Sequence, residues 1–182
     1  IILYWSLLPL PLGLYKGTPK SFALYQITSV FFALIAAMAF MYADKTAPYF
    51  LVMAIMVRQA EFPFHSWLVS LKQQRVLPLI CQFLLFHSGI VLYLKLFSIN
   101  PNEAVSFMIP AMTILTMLSG LYLALLAWRS KNFIQKCVLI VFSQASLLLA
   151  GAEGINHSAL GGSLVYWVAH VLAGGVFLLL MG

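Results

Sequence analysis

The sequence predicts an all-α protein, a polytopic transmembrane helix bundle of about six to seven spans in which one helix is broken around Pro63. Three observations carry that expectation. Hydrophobic residues make up 63% of the 182 and charged residues only 8%, whereas a soluble domain is about 25% charged. The apolar residues fall in runs close to the ~20 residues that cross a bilayer. The basic residues collect in alternate short connections, as the positive-inside rule requires.

In chain order, the first apolar segment, 1–15, contains Pro9, Pro11 and Gly13 and reads as the tail of a span or a broken helix. The second, 22–43, is uninterrupted, and the third, 47–71, contains the proline break. The fourth is expected at 77–98, the fifth at 104–128, the sixth at 133–152 and the seventh at 160–182. Connections after odd segments carry Lys16 and Lys20, then Lys72 and Arg75, then Arg129 and Lys131, with Lys136 just inside the sixth span. Those after even segments carry Asp44 with Lys45, then Glu103, then Glu153 with His157. The basic side is therefore cytoplasmic, or the matrix side in a mitochondrion. Lys95, the exception, can snorkel to the opposite interface. No basic stretch with a cleavage site opens the chain, so no signal peptide is expected. The whole of 1–182 reads as one transmembrane domain of a larger fold.

Ten Lys+Arg against four Asp+Glu give a net charge of +6. On a soluble chain this would suggest nucleic acid, but here the placement is a topology signal, and no nucleic-acid partner is expected. Cys81 and Cys137 lie in apolar runs without CxxC or His-rich spacing, so neither a disulfide framework nor a metal site is indicated. Nucleotide, haem and iron–sulfur motifs are lacking, so no cofactor is expected in this chain.

The candidate chemistry lies in Arg58-Gln59-Ala60-Glu61-Phe62-Pro63-Phe64-His65-Ser66-Trp67-Leu68. A charge at mid-bilayer costs ~2.5 kcal/mol or more on insertion scales, which makes it a functional hypothesis. Arg58 and Glu61, three apart, are expected on one helical face and can pair. Pro63 should kink or unwind the helix and leave carbonyls near Glu61 for water or His65. A broken helix beside a charge pair suits a transporter; a structural ion pair at a kink is the alternative.

Counted along their spans at about 1.5 Å per residue, Arg58, His87, Ser143 with Gln144, and His170 all fall near mid-membrane. Such groups must face one another or water, which predicts a polar line across the bilayer. His87 and His170 can pass protons or simply bond between helices. Candidate path residues are thus Arg58, Glu61, His65, His87, Lys136, Gln144 and His170. His157 and Glu153 read as surface or interfacial groups, and Gly161, Gly162, Gly174 and Gly175 as sites of close helix packing.

The run MVRQAEFPFHSWL resembles the K-S-A-Q-F-P-F-H-S-W-L segment of the antiporter-like membrane subunits of respiratory complex I, most closely chain 5 of the mitochondrial enzyme or chain L in bacteria. Mrp-type cation/proton antiporter subunits and the membrane subunit of Dab-type inorganic-carbon transporters are related. Trp5-Ser6 stands at the family's Trp-Glu, Ser143-Gln144 at its S-Q, and Ala169-His170 onward at its H-A-F-F-K-A-L-L-F-L-x-x-G. Departures accompany these matches. Arg58 replaces the family's lysine and Ser6 its glutamate; Cys81 or Gln82 falls near its histidine; Tyr166 and Gly174 stand at a histidine and a lysine of the last motif.

The resemblance implies a bundle with broken helices conducting protons along titratable side chains. The expected function is that of a non-redox membrane subunit of a complex I-like NADH:quinone oxidoreductase. Alternatives are a subunit of a Dab- or Mrp-type assembly and a transport-inactive structural subunit of the same superfamily. Other membrane subunits and lipid are the expected partners, in a mitochondrial inner or bacterial cytoplasmic membrane.

Overall fold

The computed structural model describes residue 7 and residues 20–42, 47–61, 64–70, 83–84, 86–92, 94, 103–152 and 157–180; for 48, 69–70, 103–109 and 157–160 it describes the backbone only. Within these the chain is all-helical, as predicted. Four helices are long and apolar enough to cross a membrane: Lys20–Met41, Pro110–Arg129, Phe133–Ala152 and Gly161–Leu180. The expected first span apart from Leu7, most of the fourth, Pro63, and the charges Lys16, Asp44, Lys45, Lys72, Arg75, Lys95 and Glu153 lie outside the described residues.

The helices are α1 (Lys20–Met41), α2 (Ala47–Arg58), α3 (Ser66–Ser70), α4 (Glu103–Arg129), α5 (Phe133–Ala152) and α6 (His157–Leu180). Helical residues also occur at 83–84 and 86–92. α5 has the predicted bounds and α1 begins two residues early. His157, expected in a connection, is the first residue of α6. The expected third span divides into α2 and α3, with turn residues at 59–60 and 64–65 between them. The single domain expected from sequence forms two compact units, one from Ile1–Leu71 with Cys81–Ser106, the other from Lys72–Ile80 with Phe107–Gly182.

In the first unit α1 packs along α2 and against α3. Its buried residues are Phe22, Gln26, Ser29, Val30, Ala33, Ala36 and Ala37, a 3.6-residue stripe of mostly small or polar side chains. Leu24, Ile27, Phe31 and Met38 point outward. Because lipid is as apolar as leucine, hydrophobicity does not select the inner face; small residues that allow close backbone approach do.

The second unit obeys the same rule. α4 turns Met112, Thr116, Ser119, Gly120, Leu123 and Ala127 inward and leaves Ile114, Leu118, Leu121 and Leu125 outward. A Cβ on Gly120 would sit 3.2 Å from the Ser143 carbonyl oxygen and 3.3 Å from Leu147 Cγ, so α4 and α5 meet closely there. Gly151 of α5 likewise lies against the Ser163 side chain of α6. A Cβ on Gly161 or Gly162, expected to mark close packing, would meet nothing beyond its own helix backbone within 4 Å among the described residues. Among the described residues, close approaches are found at Gly120 and Gly151. Thr116, Ser119 and Ser146 bond carbonyls of their own helices, which satisfies a hydroxyl without a partner helix.

Candidate functional site

The candidate site is built on the way α2 ends. Ala60 has φ 57°, the left-handed conformation that closes a helix at the residue after its cap. The Glu61 amide donates to the Met56 carbonyl at 3.1 Å and the Ala60 amide to Val57 at 3.4 Å, the paired bonds of a Schellman motif. Glycine is usual at such a position, but here it is alanine. The sequence signal is Pro63, since proline commonly follows a helix end within a few residues.

Four aromatic residues brace the break. Trp67 donates its indole N–H to the Val57 carbonyl at 3.1 Å, occupying an acceptor that the ending helix releases. Phe22 of α1 meets the Trp67 ring edge-on with centroids 5.3 Å apart. Tyr25 and Ser66 share a hydrogen bond of 2.8 Å, and the Tyr25 ring lies 6.3 Å from that of Phe64. The Phe64 amide donates to the Glu61 carbonyl, so one of the carbonyls expected to be open to water or His65 is taken by backbone.

Arg58 is the last residue of α2 and has none of its surface exposed. Its Nε donates to Ser29 Oγ at 2.6 Å, and that hydroxyl donates on to the Ala54 carbonyl at 3.2 Å. The cation also sits where the partial negative charge of the α2 C-terminus concentrates, a stabilising placement. Sequence reading missed Ser29 within a span that looked featureless. Its spacing from Gln26 and from Ala33, Ala36 and Ala37 was the available signal.

Glu61 is fully buried as well. The expectation that it shares a helical face with Arg58 fails, because the chain leaves the helix at Ala60, between the two. Gln59, 2% exposed, has no hydrogen-bond partner for its side-chain amide among the described residues. His65 is half-buried in the turn and its carbonyl accepts the Leu68 amide at 3.1 Å.

The remaining candidates divide between the units. His87, in the first, is buried against the edges of Phe83 and Phe86, with centroids at 4.3 and 4.8 Å. In the second, His170 is buried and stacked on Tyr166, with rings 6.0 Å apart and inclined by 21°. Lys136 is half-exposed one turn into α5, where the Asn132 side chain caps the helix by accepting the Gln135 amide at 3.3 Å. Ser143 is buried and donates to the Gly120 carbonyl at 2.7 Å, whereas its neighbour Gln144 faces outward. Ser6 and Cys81 lie outside the described residues.

Within the first unit the structure thus places Arg58, Glu61 and His65 on one interrupted helix and supplies Ser29 from α1. Among the described residues no group of three or more His, Cys, Asp or Glu converges as a metal site. No protein-family model matches the chain, and neither characterised proteins nor solved structures give a match.

Proposed function

We propose that this chain is a non-redox membrane subunit of a complex I-like NADH:quinone oxidoreductase and contributes to proton translocation, the redox centres belonging to partner subunits. The observation that carries this reading is the end of a short apolar helix between two fully buried ionisable groups, Arg58 and Glu61, within the run that resembles the antiporter-like subunits. Guanidinium does not readily release its proton, so Arg58 acts as a fixed positive centre, held by Ser29 and the α2 C-terminus. Glu61 and His65, just past the break, are the exchanging groups. His87 and His170 extend the path in their own units.

Two experiments test this. Purification of the intact assembly should bring quinone-reductase subunits with the chain; a soluble zinc protein in their place would indicate the Dab-type alternative. In vesicles containing the assembly, Glu61→Gln should lower proton flux at least about tenfold, as loss of an obligatory proton carrier does. Unchanged flux would favour a transport-inactive structural subunit. One feature favours that second reading: the engagement of Arg58 by Ser29 explains its burial without any transport role.

A further inference from the structure

Gln59 stands in the turn that closes α2, between Arg58 and the left-handed Ala60. Its backbone amide donates to the Ile55 carbonyl at 2.9 Å. Its side chain is not provided for in the same way. Gln59 is 2% exposed, and both ends of the carboxamide, Oε1 and Nε2, are buried without a hydrogen-bond partner among the described residues. A carboxamide carries two donor hydrogens and an acceptor oxygen, and native proteins rarely leave such a group buried and dry.

Whatever meets this amide has to be small. With 2% of Gln59 exposed, a helix packed on the outside cannot reach it, so the occupant has the size of a solvent molecule or an ion. The surroundings are polar. Chain connectivity keeps Glu61, two residues on, within about 7.6 Å between Cα atoms at ~3.8 Å per step, and Arg58 is one step away; both are fully buried. Gln26 and Ser29 lie on the buried stripe of α1, which packs along α2. A cation would satisfy Oε1 alone, leave Nε2 bare and meet the Arg58 guanidinium. An anion would satisfy Nε2 alone, leave Oε1 bare and meet the Glu61 carboxyl. Water donates and accepts at once, and a buried water commonly makes about three hydrogen bonds.

We propose that Gln59 holds internal water at the end of α2, Nε2 donating to a water oxygen and Oε1 accepting from a water hydrogen. The bonds left to that water go to the polar groups around the break. The turn between two buried ionisable groups thereby has a hydrated interior without being open to the surface. This holds whether or not Glu61 carries protons, so it is independent of the proton-translocation reading.

The test uses the unmodified full chain, isotope-labelled, in vesicles of deuterated phosphatidylcholine. Solid-state NMR follows magnetisation passed from water to nitrogen-bound hydrogens, and the signal is identified from Arg58-Gln59, the single Arg–Gln pair in the sequence. The Gln59 Nε2 hydrogens should gain water magnetisation at least about threefold faster than the backbone amides of Leu51 and Val52, as bound water in contact requires; these two residues are equally buried on the same helix. Gln59→Leu, which removes both ends of the amide from the water, should lower the folding equilibrium constant in detergent about five- to tenfold. A dry amide gives the opposite sign, because leucine then removes an unpaired buried group. If the variant does not fold, the transfer rate in the unmodified chain decides alone. Transfer no faster than at Leu51 and Val52, a Gln59 signal that moves with sodium or chloride concentration, or a Gln59→Leu chain as stable as the original or more so would each overturn the proposal.

Discussion

A guanidinium with no exposed surface is tolerated only where hydrogen bonds and fields replace its water. At Arg58 the Ser29 hydroxyl accepts from Nε and passes its own proton toward the Ala54 carbonyl, so one small side chain serves the charge and the backbone together. Ser29→Ala removes that acceptor, and a hydrogen bond to a charged group contributes about 1.5–3 kcal/mol. Thermal unfolding of the purified chain should show this loss. Thr28→Ala, whose hydroxyl bonds Leu24 of its own helix, should stay within about 0.5 kcal/mol.

Ala60 provides a second test at this scale. Its left-handed backbone costs alanine ~1–2 kcal/mol, but replacement by glycine gives up a buried methyl, ~0.8 kcal/mol, and adds unfolded-chain entropy. Ala60→Gly should therefore be neutral to within about 1 kcal/mol, whereas β-branched Ala60→Val should lose ~2 kcal/mol or more. A continuous helix would give the opposite ranking, with valine tolerated and glycine costing ~1 kcal/mol.

Among the helices, the break after α2 is held by Trp67. Trp67→Phe keeps the apolar contact with Phe22 but loses the bond to Val57, for an expected cost of about 1 kcal/mol. Trp67→Ala loses both, for about 3–5 kcal/mol. At the α4–α5 crossing, Gly120→Ala would press a methyl on the Ser143 carbonyl and the Leu147 branch point. Neither can swing aside as the end of a long side chain can, so overpacking of about 1–3 kcal/mol should exceed the ~1 kcal/mol helix-propensity gain. Denaturation in detergent measures each difference.

These elements also separate what sequence reveals from what it conceals. The bounds of α5 and the interruption near Pro63 were legible because run length and proline chemistry are local. Ser29, Gly120 and Gly151 were not singled out, because every face of a membrane helix is apolar and only tertiary packing decides which small residues meet a neighbour. The shared helical face of Arg58 and Glu61 was misjudged for a related reason. Alanine in a left-handed turn leaves no glycine to read, so the end of α2 at Arg58 is not visible in the sequence.

At the scale of the molecule, the positive-inside rule predicts how the charges orient the chain in a bilayer. α1 has 22 residues, about 33 Å at 1.5 Å per residue, enough for the ~30 Å hydrocarbon core. It begins at Lys20, and beyond it stands Tyr42, 86% exposed. The turn between α4 and α5 holds Ser130 between Arg129 and Lys131, with Trp128 exposed at the same end, an interfacial aromatic beside cations on the basic side. The positive-inside rule predicts Lys20 and this turn on one side of the membrane and Tyr42 on the other. In a Cys81→Ser, Cys137→Ser background, Ser130→Cys should react with a membrane-impermeant maleimide only from the cytoplasmic or matrix side, and Tyr42→Cys only from the opposite side. If both reacted from one side, α1 would not cross the bilayer and the alternation of basic connections would have another cause. If the sides were opposite but exchanged, the crossings would stand and the assigned orientation would fall. Agreement would place Lys136, half-exposed one turn inside α5, at the basic surface rather than at mid-membrane depth, and so set it apart from Arg58 as an interfacial charge.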